Sequence, residues 1–155
     1  MELQEEALAA KKEVLAEGHP DTLTSMNNLA VTHRVMGRHA DALKLQLKVL
    51  ALSKEVLGER HTDTLGSMNN HAVTHRVMGR HADALKLQVK VLALSKETLG
   101  EHHPGTLTSM NNLAWTYLAM GRHGDALKLN EEALAARKEV LGERHRGSVR
   151  SPLPS

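Results

Sequence analysis

Three pairs of asparagines recur at a fixed spacing, and their chemistry suggests a use. Asn27 and Asn28, Asn69 and Asn70, and Asn111 and Asn112 follow one another at a period of 42 residues. An asparagine side chain offers two N–H donors and a carbonyl acceptor. A regular ladder of them can therefore pair with the alternating C=O and N–H groups of an extended peptide backbone without reading its side chains. Histidine is the second candidate. His71 and His75 stand i, i+4, a spacing that can hold a metal ion, but no acidic or cysteine ligand accompanies them, and no metal is expected. Catalysis is not supported. Ser, His and Asp are all present, yet their positions follow the period rather than one site. The GERH and MGRH segments read as helix stops, not phosphate loops, and no His-Glu-x-x-His occurs. The protein reads as a non-enzyme that needs no cofactor.

Composition narrows the classes further. The chain has 155 residues and a formal net charge of +2, with no Cys and no Phe. Disulfides and thiolate sites are excluded. Trp115 and Tyr117 are the only aromatics, so the core must be aliphatic, with Met filling irregular gaps. A nearly balanced charge and so few aromatic rings argue against nucleic acid as a partner. No apolar run approaches the roughly 18 residues of a membrane span, and the start, MELQEEALAAKKEVL, lacks the basic-then-apolar order of a signal peptide. The expectation is a soluble, cytoplasmic protein.

The elements that must position these residues follow from the period. SMNNLAVTHRVMGRHADAL from Ser25 returns, with few changes, from Ser67 and Ser109, so the chain is a repeat array. First helices are expected at 22–36, 64–78 and 106–120. Leu23, Met26, Leu29 and Ala30 share one helical face there, and Met-Gly-Arg ends each helix. Asp21 or Thr22 is expected to cap the first of them. Second helices are expected at 39–57, 81–99 and 123–141. Ala42, Leu45, Val49, Leu50, Val56 and their neighbours cover more than half the circumference, so each must touch a helix on both sides. An orphan helix at 1–17, with Leu3, Ala7, Leu8, Val14 and Leu15 as its apolar face, precedes them. It parallels the last second helix, as ELQEEALAAKKEVL beside KLNEEALAARKEVL. The fold is all-α: an α-solenoid of antiparallel hairpins with seven helices. Its parts are a half repeat at 1–18, full repeats at 19–60, 61–102 and 103–144, and a disordered tail at 145–155.

NNLA, then Gly-Arg, then DAL, then KEVLGERH together resemble the tetratricopeptide repeat, in the long form of kinesin light chains. The resemblance spans residues 2 to about 144. It implies small residues at Ala30, Ala72 and Ala114 and at Ala42, Ala84 and Ala126, where the two helices approach closely. It also implies a concave groove lined by the first helices. The departures lie in the core: His33, His75, Gln46, Gln88 and, above all, His71 in a Leu position. These changes should make the middle repeat the weakest.

By the same resemblance the asparagine pairs face the groove. Val31, Val73 and Trp115, then Arg34, Arg76 and Leu118, follow on that face. The segments 22–36 and 64–78 contain no Asp or Glu, so the groove is neutral to positive and favours an acidic peptide. The expected peptide-binding set is Asn27, Asn28, Arg34, Asn69, Asn70, Arg76, Asn111, Asn112 and Trp115, the last as an aromatic anchor. The partner is a peptide segment of another protein. A structural or self-associating repeat segment, joined through exposed end helices, is the alternative.

Overall fold

Every first helix is opened by a histidine. In the computed structural model, which describes residues 1–14 and 18–149, His19, His61 and His103 take an extended N-cap conformation. Their Nδ1 atoms accept from the backbone N–H groups of Asp21, Asp63 and Gly105 at 3.2, 3.1 and 2.9 Å. This corrects the assignment of the cap to Asp21 or Thr22. The imidazole lone pair reaches the amide two residues on, which satisfies one of the free donors of the first turn. Asp21 sits within that turn, where its charge suits the helix dipole, and Thr22 is buried. The equivalent Thr64 and Thr106 use their hydroxyls to tie the new helix to the end of the previous one, donating to the carbonyls of Ser53 and Gly100.

Seven helices result among the described residues: α1 (Glu2–Val14), α2 (Pro20–Val35), α3 (His39–Val56), α4 (Thr62–Val77), α5 (His81–Leu99), α6 (Pro104–Ala119) and α7 (His123–Val149). Each hairpin turn is a Schellman motif. At the first, Gly37 has φ 79°, its N–H reaches the carbonyl of Arg34, and the N–H of Arg38 reaches that of His33. A β-carbon at such a φ is strained, so glycine is required there. The last helix differs from the sequence expectation. It runs through residues 145–149, where composition alone suggests a disordered tail, because Gly142 stays helical. At Gly58 and Gly100, by contrast, the backbone turns to a positive φ and a new first helix follows. Residues 150–155 of that tail lie outside the described residues, as do 15–17 of the expected first helix.

Consecutive helices pack antiparallel, and the first helices also meet one another: α2 touches α4, and α4 touches α6. Among the described residues the second helices α3, α5 and α7 make no such contact with each other. The stack therefore bends with α2, α4 and α6 on its inner face. Met26, Met68 and Met110 are fully buried at equivalent positions, one in each of three aliphatic clusters. The small residues Ala30, Ala72, Ala114, Ala42, Ala84 and Ala126 are all buried where paired helices come close. Two apolar positions expected inside are not. Leu3 is 80% exposed and Val56 is 50% exposed, and only Leu8 of the described α1 face is buried. Met68→Ala should destabilise the protein by about 3 kcal/mol, whereas Leu3→Ala should change it by less than about 0.5 kcal/mol. Urea unfolding midpoints of the two variants check this contrast.

Candidate functional site on the inner face

The asparagine pairs divide by role. Asn27 Nδ2 donates to Ser67 Oγ at 3.4 Å, and Asn69 Nδ2 donates to Ser109 Oγ at 3.1 Å. Each serine gives its own proton to a carbonyl one turn back, that of Asp63 or Gly105, which leaves its lone pairs to accept. Asn27 and Asn69 thus each direct an Nδ2–H to the next repeat, where a buried donor needs a fixed acceptor, while their Oδ1 atoms are enclosed without a partner among the described residues. Asn28 is exposed, and Asn70, Asn111 and Asn112 are half-buried.

Asn28 and Asn70 share a cleft of about 200 Å³ with Asn27, Leu23 and Gly66. Gly66 stands where the other repeats have Thr24 and Thr108. A β-carbon on Gly66 would meet nothing within 4 Å, so its absence leaves open space on the inner face. Sequence reasoning misses this residue. The break of TLTS into TLGS is the signal that could have found it.

The arginines lie further along the same helices. Arg34 Nη1 reaches the backbone carbonyl of Asn70 at 3.5 Å, bridging α2 and α4. That carbonyl also accepts from Gln46 Nε2 at 3.3 Å and from Thr74 Oγ1 at 3.1 Å. Gln46 and Gln88, weak points by their residue type, are thus buried but engaged: Thr116 Oγ1 donates to Gln88 Oε1 at 2.6 Å. Burial lowers the affinity of the Arg34 guanidinium for its proton, and the charge of Arg76 adds to this. Burial does the same at Arg76, whose Nε is enclosed and without a partner. Among the described residues no carboxylate offsets either effect.

Trp115 is 59% exposed and borders a hollow with Asn111, Leu118 and Asn130. It does not pack between repeats. His71 and His75 form an edge-on pair, with Nε2 atoms 3.0 Å apart and rings at 74°. No cluster of three metal-ligating groups exists among the described residues. His71 is buried, and its pKa is lowered to about 4, chiefly by burial and then by His75. That of His75 is also lowered by burial, with Asp83 opposing.

The tetratricopeptide repeat profile matches residues 63–139, and a second tetratricopeptide repeat profile matches residues 22–63. The chain belongs to the tetratricopeptide repeat family. Within it the array is of kinesin-light-chain type. It is similar to a kinesin-light-chain-type protein of Podosopora anserina with nearly identical TPR-like repeats. A singly substituted form of that protein gives a TM-score of 0.77 at 29% identity, covering 90% of this chain and 66% of that one. The form without that substitution gives 0.74 at 29% identity. The fold is shared with BtubC (BKLC) from P. vanneervenii, with a TM-score of 0.77 at 24% identity, covering 89% of this chain and 54% of that one. This protein thus spans just under two thirds of the Podosopora structures and about half of the third. No curated protein sequence matches it. Repeats of this family mediate protein–protein interaction on a scaffold without catalytic function. No helix among the described residues is long and apolar enough to cross a membrane.

The histidine pair makes stability depend on pH. Unfolded, His71 takes its proton near the ordinary 6.5; folded, it does so only near 4. The unfolded state therefore binds more protons in that window, and stability present above pH 6.5 is lost as pH falls toward 4. The loss should be about 2 kcal/mol, and His71→Leu should both raise stability and flatten the profile. Chemical unfolding at pH 7.5 and pH 4.5 reads the difference; equal slopes in both proteins would dismiss His71 as the cause.

Proposed function

We propose that the inner face of the array binds a short, extended, acidic peptide segment of a partner protein. One observation carries the reading: Arg34 and Arg76 lie one repeat apart on adjacent inner helices, partly stripped of water and facing no carboxylate among the described residues. Two like charges held close in a partly dry setting are stabilised by an anion laid across them.

The neighbouring groups suit a peptide rather than a small anion. Asn28 and Asn70 sit beside the cleft opened by Gly66, where amide groups can pair with the C=O and N–H groups of a peptide backbone. Trp115 extends the same face into the last repeat as an exposed aromatic platform. In this reading Asn27 and Asn69 set the spacing between repeats, and Asn28, Asn70 and Asn112 touch the ligand.

A labelled peptide alternating glutamate and alanine should bind in fluorescence anisotropy, and its glutamine counterpart should bind at least about tenfold more weakly. Arg34→Ala with Arg76→Ala should remove the difference between the two peptides. Asn28→Ala with Asn70→Ala should weaken both peptides alike. Equal affinity of the unaltered protein for the two peptides would sink the proposal.

A further inference from the structure

The two ends of the stack match each other. Residues 2–19 and 128–145 differ only at Glu2/Lys128, Gln4/Asn130, Lys11/Arg137, Ala16/Gly142 and Gly18/Arg144. Yet the two helices meet different surroundings. In α1, Leu8 is 7% exposed and packs in one cluster with Leu23 and Met26 of α2. Lys11 Nζ donates to Ser25 Oγ at 2.6 Å. In α7 the equivalent Leu134 is 51% exposed, whereas Leu50 and Leu92, its counterparts in α3 and α5, are each 8% exposed beneath the next first helix.

Among the described residues the α6–α7 end is an interior seam with one wall removed. Inside the stack, Pro20, Leu23, Thr24 and Leu57 are closed over by Thr62, Gly66 and Ser67 of α4, leaving the cleft described above. At the end, the equivalent Pro104, Leu107, Thr108 and Leu141 line a wider groove of about 460 Å³, with Arg137 beside them. Among the described residues Asn111 has no counterpart of the serine bonds that Asn27 and Asn69 make to the following repeat. The counterpart of that serine at the other end of the stack is Ser25.

We infer that the α6–α7 end of one molecule takes α2 of a second copy, displacing that copy's own α1, so that molecules join head to tail in the register of the repeat. Leu134 then replaces Leu8 against Leu23 and Met26, and Arg137 replaces Lys11 at Ser25. Asn111 gains Ser25 as acceptor. The exchange favours assembly because α1 brings a single helix to α2, whereas the α6–α7 hairpin brings two, adding the contact between first helices seen between α2 and α4. The occupant is set by this match of shape and hydrogen bonding: the open face presents the α1 surface, and α2 is the helix that surface fits.

Sedimentation velocity of the 155-residue protein from low to high concentration should show association. Leu134→Lys, a change at an exposed position, should weaken it at least about tenfold while leaving the circular dichroism of the monomer unchanged. Leu8→Asp should strengthen it, because a loosened α1 frees α2. The protein has no cysteine, so Asn111→Cys combined with Ser25→Cys should give disulfide-linked oligomers that dithiothreitol returns to monomer. A protein that stays monomeric throughout overturns the inference, as does association untouched by Leu134→Lys. Association lost in both Leu8→Asp and Leu134→Lys would overturn the exchange, since α1 would then itself form the interface.

Discussion

A helical hairpin with two apolar sides cannot bury both by itself, and every other feature of this protein depends on that constraint. The second helices α3 and α5 each pack against their own first helix and against the first helix that follows. The seam between repeats is consequently as important as the hairpin. It is aliphatic at Leu50, Leu65 and Met68, and polar at its inner edge. There the carbonyl of Asn70 collects Arg34, Gln46 and Thr74, and Asn27 and Asn69 reach serines on the next helix. Buried polar groups tolerate little misplacement, because an unmet partner costs about 1–3 kcal/mol. The seam thereby fixes the rise from repeat to repeat, and with it the spacing of whatever the inner face presents.

The middle repeat concentrates the departures. Thr62 replaces the proline that opens α2 and α6, Gly66 replaces a threonine, and His71 replaces a leucine. The last two act differently. Gly66 leaves open room beside Asn28 and Asn70. His71 puts a proton acceptor where only an apolar group is comfortable, and burial holds it neutral. Stability and surface chemistry thus meet on α4 without sharing residues, and the two can vary independently there.

Much of the architecture is legible in the sequence. The period, the Gly37, Gly79 and Gly121 turns and the apolar spacing define helices and hairpins, since these depend on local backbone rules and on which faces must leave water. The differences arise where a competing local group intervenes. His19 takes the cap from Asp21 because its ring nitrogen accepts from the backbone N–H of Asp21 itself, which places Asp21 inside the first turn. The last helix passes Gly142 because no new first helix follows to demand a turn among the described residues. Leu3 stays in water because, among the described residues, α1 touches α2 alone.

By itself the sequence determined an all-helical repeat array, its family and the residue types on each face, because periodicity encodes which side of a helix is apolar. Only the tertiary structure decided how the polar residues are used. Whether Asn27 or Asn28 is spent between repeats depends on where Ser67 of the next repeat falls, which is a matter of crossing angle and rise. The same holds for Gln46 against the carbonyl of Asn70, and for Leu134, which differs from Leu50 in having no first helix laid over it among the described residues. Such facts are relations between segments distant along the sequence, and no local pattern records them.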